Sequence, residues 1–179
     1  MFKEDTIEVL REVEAALIPS GVKVTLQKGS LVVVTQSLGT SYTVYVNGNL
    51  VRVAGTDGDA LGLVILEDPD VNLMDASLEE KVWETLKSCF DPEIPVNIVD
   101  LGLVYECNIA PLQGGGHHVG IIMTLTAPGC GMGPVLIADV EQKIRKIHDV
   151  VDVKVELVFD PPWDRSKVSD VAKLQLGIL

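Results

Sequence analysis

Aromatic residues are scarce in this chain: three Phe, three Tyr and two Trp among 179 residues, 4%. A module reading single-stranded nucleic acid by stacking would need more of them, and positive charge as well. Cations are also short, at 14 Lys+Arg against 26 Asp+Glu for a net charge of −12. An acidic surface argues against nucleic acid or an anionic membrane as partner. Three cysteines, an odd number at no framework spacing, exclude a disulfide scaffold and fit a reducing compartment. No apolar run approaches the roughly 20 residues needed to cross a bilayer. The opening Met1-Phe2-Lys3-Glu4-Asp5 is acidic, unlike a secretory leader. These features together predict a cytoplasmic protein. No P-loop, dinucleotide fingerprint, serine elbow or zinc-type Cys/His set is present.

What is present divides into two modules, 1–75 and 76–179. The first opens with Ile7, Leu10, Val13 and Leu17 at helical spacing, ended by Pro19-Ser20-Gly21. Strand-like runs follow at Val22 to Leu26, Leu31 to Leu38, Tyr42 to Val46 and Leu50 to Val53. Asn47-Gly48-Asn49 predicts a hairpin turn, because Asn-Gly accepts positive φ cheaply. The reading is a small, mostly antiparallel β module with one helix. Thr56-Asp57-Gly58-Asp59 has the look of a calcium loop but lacks the spacing and downstream glutamate of an EF-hand.

After Glu67-Asp68-Pro69-Asp70 the pattern changes. Ser77-Leu78-Glu79-Glu80 is a capping-box signature opening a helix through Leu78, Val82, Leu86 and Cys89 or Phe90. Asp91-Pro92-Glu93-Ile94-Pro95 stops it. A strand over Ile98 to Ile109, a glycine loop, an apolar strand Val119 to Leu125, and a helix from Val135 to Ile147 come next. Alternating Val151, Val153, Val155, Leu157 and Phe159 give a last strand, followed by a tail with Trp163. The predicted class is α+β, with α-β-β-α-β order and helices on one face of a small sheet.

Thr126-Ala127-Pro128-Gly129-Cys130-Gly131-Met132-Gly133-Pro134 stands out, because it sets a thiol at a strand-to-helix turn. Unpaired N–H groups and the positive end of the helix dipole suit that thiol to bind metal or attack an electrophile. A small apolar residue filling a tight turn is the plainer alternative. Asp91 and Glu93 fit either acid–base or iron-binding work, or simple turn residues facing water. Cys89 and Cys107 read as packing residues, although Cys89 has a second reading as a thiol near Cys130. Adjacent His117 and His118 point to opposite faces of a strand, so one ion is not chelated by both. Trp163 fits a pocket cover or a plug of the sheet edge.

Four ordered motifs, Asp91-Pro92-Glu93-Ile94-Pro95-Val96-Asn97, Asp100-Leu101-Gly102-Leu103-Val104-Tyr105, Thr126 to Met132 and the Trp163 tail, resemble the PaaD-like family of iron–sulfur assembly domains. The N-terminal module, with Gln36-Ser37-Leu38-Gly39, Tyr42-Thr43-Val44 and Ala60-Leu61-Gly62, is similar to that of SufT proteins. The resemblance implies a fold like the C-terminal domain of NifU scaffolds and a cytoplasmic accessory factor, not an enzyme, for iron–sulfur protein maturation. It implies iron or an iron–sulfur cluster, held transiently, as cofactor, and scaffold or client proteins as partners. Cys130 then leads as metal ligand, with Cys89 second, and Asp91, Glu93, Thr126, Gly131 and Met132 as binding partners. NifU-type domains carry C-x-x-C at this turn, whereas Gly133 stands at the second position here. One thiolate per chain against the usual four cysteines favours a cluster bridged in a homodimer or passed on. A thiol enzyme with Cys130 as nucleophile is the rival reading.

Overall fold

The computed structural model describes residues 6–178, the side chain of Leu38 excepted, and Met1 to Asp5 lie outside them. The chain divides into two compact units, Met1–Pro69 and Asp70–Leu179.

Unit 1 is a six-stranded antiparallel sheet. Its strands are β1 (Thr6–Glu8), β2 (Val13–Ile18), β3 (Lys23–Leu26), β4 (Leu31–Leu38), β5 (Ser41–Val46) and β6 (Asn49–Ala54), ordered β1-β4-β5-β6-β2-β3. The expected N-terminal helix is therefore replaced by β1 and β2. A competing period of two explains this: Val13 and Ala15 are buried on one face of β2, which pairs with β6, while β1 pairs with β4 and Val9 is buried just past its end. Non-local pairing outweighs a weak local spacing. The β5–β6 hairpin turns through Asn47 (φ 48°) and Gly48 (φ 84°), the pair of positive φ values that a two-residue turn of this hand requires. The Thr56–Asp59 segment is part of a 3₁₀ turn, Gly55–Leu61. Arg11 donates to Asp57 at 2.8 Å and to Asp59 at 2.7 and 2.8 Å, which gives those carboxylates a structural partner.

Unit 2 runs α1 (Leu78–Leu86), β7 (Val104–Pro111), β8 (His117–Met123), α2 (Gly133–Arg145), β9 (Val150–Leu157) and α3 (Asp170–Leu176). The α-β-β-α-β order is present, with a short helix added in the tail. β8 pairs antiparallel with β7 and parallel with β9, so α2 is the crossover between two parallel strands. Val119, Ile121 and Met123 of the central strand point into the helical layer and are fully buried with Val82, Leu86, Leu136, Val140 and Ile144. Both bonds of the capping box form: Ser77 Oγ accepts from the Glu80 N–H, and Glu80 accepts from the Ser77 N–H at 2.7 Å.

The expected strand over Ile98 to Ile109 begins only at Val104. Residues before it form a turn built by Asn97, whose Oδ1 accepts the N–H groups of Val99 (3.0 Å) and Asp100 (2.9 Å). Ile98, Leu101 and Leu103 are buried all the same, which explains the strand-like apolar pattern. Among the described residues no helix is long and apolar enough to cross a membrane.

Candidate functional site

The cysteine turn is made by the exit of β8 and the entry of α2. Thr124, just past β8, donates its N–H to Leu103 O at 2.8 Å. Its side chain is fully buried, and among the described residues Oγ1 has no hydrogen-bond partner. Thr126 is half-buried, Ala127 to Gly129 are exposed, and Gly129 (φ 76°) has open space where a Cβ would sit. Cys130 follows, half-buried against the core, and its carbonyl accepts the Gly133 N–H at 3.1 Å. Gly131 is half-buried. Met132 is buried and stands at the N-cap, with its carbonyl accepting the Leu136 N–H at 2.9 Å. The helix therefore starts at Gly133, two residues before the predicted Val135, and Pro134 lies in its first turn, where its missing N–H leaves no bond unmade.

Gly133 explains the missing second thiol in physical terms. A Cβ there would lie 3.0 Å from Leu125 Cδ1 and 3.7 Å from Leu157 Cδ1. The position faces the core, so a cysteine side chain would compete with packed leucines.

The Asp91 loop is held from within. Asp91 is buried, and its Oδ1 accepts N–H groups from Glu93 (2.9 Å) and Ile94 (2.8 Å). Burial pushes its carboxyl above the usual Asp range, the two N–H bonds oppose this, and the charge of Glu93 adds to the rise. Asp91 is thus a turn-builder facing inward, while Glu93 is exposed. Cys89 is fully buried, and its thiol donates to Thr85 O at 3.6 Å. Backbone bonds tie this loop toward the cysteine turn: Ile98 N–H to Cys89 O (2.9 Å), Leu103 N–H to Ile98 O (3.0 Å), Thr124 N–H to Leu103 O. Cys107 lies on β7, half-buried, its thiol pushed up by burial and by Glu79.

The Asp100 to Tyr105 motif has a role the sequence reading missed, that of clamping the tail. Ser169 donates its N–H to Asp100 O (2.8 Å) and its hydroxyl to Asp100 Oδ1 (3.0 Å), and its Oγ also caps α3. Trp163 Nε1 donates to Leu101 O at 2.7 Å, which settles that residue as a pin for the tail rather than a loose cover. Tyr105 Oη donates to Pro161 O at 2.7 Å, and Lys167 Nζ sits 4.9 Å from the Tyr105 ring. Gly102 (φ 74°) lies so close to Lys167 O that a Cβ would fall 2.3 Å from it. That glycine in a left-handed turn was the available signal.

His118 Nδ1 and Asp152 Oδ2 are 2.6 Å apart on the open face of the sheet, and His117 points to the other side with Nδ1 buried. Among the described residues no group of three His, Cys, Asp or Glu is placed to hold a metal ion.

The family model described as "Iron-sulfur cluster assembly protein" matches residues 79–157, within unit 2. A "Fe-S protein maturation auxiliary factor" of Porphyromonas gingivalis is 41% identical over 101 residues, covering 56% of this chain and 92% of the relative. The Bacillus subtilis factor YitW is 39% identical over 105 residues, covering 59% and 99%. The Staphylococcus aureus factor SufT is 40% identical over 88 residues, covering 49% and 96%. These relatives are matched over almost their whole length, at identities that mark common descent. The chain belongs to the iron–sulfur cluster assembly protein family.

Proposed function

We propose that this protein is an accessory factor in the maturation of iron–sulfur proteins, working through Cys130. It carries iron or a cluster between proteins, or docks scaffold and client proteins so that transfer proceeds between them. The carrying observation is the position of Cys130 on a turn beside open backbone, while Cys89 is enclosed by the core. The maturation role rests on the relatives, each described as an auxiliary factor for Fe-S protein maturation.

The donor set of one protomer does not fit a resident cluster, which is normally held by four cysteines in all. One half-exposed thiol leads the set, no three-donor group exists among the described residues, and position 133 faces the core. Iron or a cluster is therefore cargo, with the remaining thiolates supplied by a second copy, a scaffold or a client. Thr126, Gly131 and Glu93 border the contact, while Asp91 and Met132 hold the two loops in shape. Cys89 stands in reserve as a second ligand that only rearrangement of the helix end would release. The role is non-enzymatic, and the cytoplasm keeps the thiol reduced.

The test is anaerobic reconstitution with iron and sulfide, comparing wild type with Cys130→Ala, with metal, sulfide and mass measured after gel filtration. Cluster retained only by the wild type, in a dimer, supports bridged cargo. Cluster retained equally by Cys130→Ala removes Cys130 from the reading. No cluster on either protein leaves the docking role, which a client-maturation assay with Cys130→Ala then decides.

A further inference from the structure

β9 (Val150–Leu157) is an edge of the three-stranded sheet of unit 2, and the two edges of that sheet are built differently. On β7, Tyr105 is an extra residue that bulges the ladder, Pro111 ends the strand, and the Tyr105 hydroxyl is held by Pro161 O of the tail. Bulges and prolines keep a further strand from pairing. β9 has one irregularity, at Val151, and from Asp152 to Leu157 it is regular and free of proline. The Val158 N–H bonds Met123 O, so in this parallel ladder the even-numbered residues turn their peptide groups to β8. Those of Val153, Val155 and Leu157 turn to the free edge, where among the described residues they meet no hydrogen-bond partner.

The side chains of Val153, Val155 and Leu157 lie on the core face, yet Val155 and Leu157 are only half-buried because no strand stands beside them. Lys154 and Glu156 are exposed on the open face, and among the described residues neither has an ion pair or a side-chain hydrogen bond. The other charges of that face are placed apart: Asp152 is engaged by His118 at 2.6 Å, and Glu106 stands two strands from Glu156. We propose that β9 pairs antiparallel with β9 of a second copy about a two-fold axis at Val155, joining the two sheets into one of six strands.

Two identical edges close on each other through a two-fold axis, and edge-facing residues must pair with edge-facing residues, which limits the axis to a few positions. An axis at Lys154 or Glu156 sets that residue against itself. An axis at Val153 leaves Glu156 opposite the irregular start of the strand, and one at Leu157 carries the pairing into Pro161, which has no N–H. At Val155 the hydrogen-bonded pairs are Val155 with Val155 and Val153 with Leu157. Lys154 then stands opposite Glu156 twice, in the non-hydrogen-bonded sites where side chains are closest. The core face continues across the edge through Val153, Val155 and Leu157 of both copies.

Met123 is paired with Leu157, two residues from the axis. The two Met123 residues are therefore ~13 Å apart along the strands and ~14 Å across them, and the chain leaves them toward Cys130 in opposite directions. Each Cys130 works alone in this dimer, so the thiolates that complement it come from a scaffold or client. The pairing itself does not rest on the role of Cys130.

The experiment uses the full chain with reductant and chelator and without iron. Sedimentation velocity across the micromolar range is expected to show a concentration-dependent dimer, because residues 152–158 of each copy fall well short of the about 20–30 residues of a standard interface. Lys154→Glu and Glu156→Lys each set like charges opposite one another twice and are expected to weaken the dimer about tenfold, whereas the two together restore it. Val155→Pro removes an N–H that the chain itself does not use and abolishes the dimer. Cys130→Ala leaves it unchanged. Amide exchange on the wild type gives a second readout, which stands if a variant fails to fold: the N–H groups of Val153, Val155 and Leu157 slow at high concentration and not at low. A monomer throughout, a dimer that leaves these amides unprotected, or a folded charge-exchanged variant that fails to rescue would overturn the proposal. So would a dimer that needs iron and Cys130, since that is the bridged cargo instead.

Discussion

Replacing Gly102 by alanine is expected to destabilise unit 2 and release its tail. Two separate costs meet at this residue. Its φ of 74° lies in the left-handed region, where a side chain costs about 1–2 kcal/mol. The added Cβ would also fall 2.3 Å from Lys167 O, a backbone atom that cannot rotate away. Relief requires the 164–169 segment to move, and with it the two hydrogen bonds from Ser169 to Asp100, at about 1 kcal/mol each. The sum is ~3–4 kcal/mol. Gly115 provides the control: its φ is 95° and nothing lies within 4 Å of its Cβ position, so alanine there carries the conformational cost alone, about 1–2 kcal/mol. Both tryptophans, Trp83 and Trp163, belong to unit 2, so urea unfolding followed by tryptophan fluorescence reports that unit. A difference of ~2 kcal/mol corresponds to a midpoint shift of about 1 M between the two variants. If Gly102→Ala and Gly115→Ala unfold at the same midpoint, the close approach to Lys167 contributes nothing and the clamp is misassigned.

Iodoacetamide followed by mass spectrometry is expected to modify Cys130 first, Cys107 more slowly because burial and Glu79 hold its thiol up, and Cys89 only on unfolding. Early labelling of Cys89 would contradict its enclosure. Asp91 has a raised folded pKa, so the folded state favours its protonated form, and wild-type stability falls as pH rises from the usual Asp value through the raised one. Asp91→Asn, which keeps an oxygen for the Glu93 and Ile94 N–H groups, should flatten that slope in urea midpoints measured across the window. Ser77→Ala should cost unit 2 about 1 kcal/mol through loss of the cap, and a double-mutant cycle with Glu80→Ala should be non-additive. The Ser77 N–H and hydroxyl hold the Glu80 carboxyl below its usual range, so its contribution is present above the usual Glu value and lost as pH falls through the lowered one.

Several elements follow from local chemistry alone. The capping box at Ser77, the positive-φ turn at Asn47-Gly48, the helix start near Pro134 and the alternation of β9 are short-range features that need no distant partner. The motif around Cys130 also marked the turn correctly, because a strand, glycines and a helix-starting proline are contiguous there. Tertiary structure decided the remainder. The segment from Ile7 to Leu17 satisfies both a helical and a strand spacing, and pairing with β4 and β6, distant in sequence, selected the strand. Residues 98–103 look like a strand because they are buried, yet Asn97 and Gly102 bend them into a turn that receives the tail. Asp91 was a surface acid or a site residue until packing placed it inside. The alignment of Val33, Tyr45, Leu50 and Ile18 across β4, β5, β6 and β2 exists only through strand register, since no window of sequence holds these residues together.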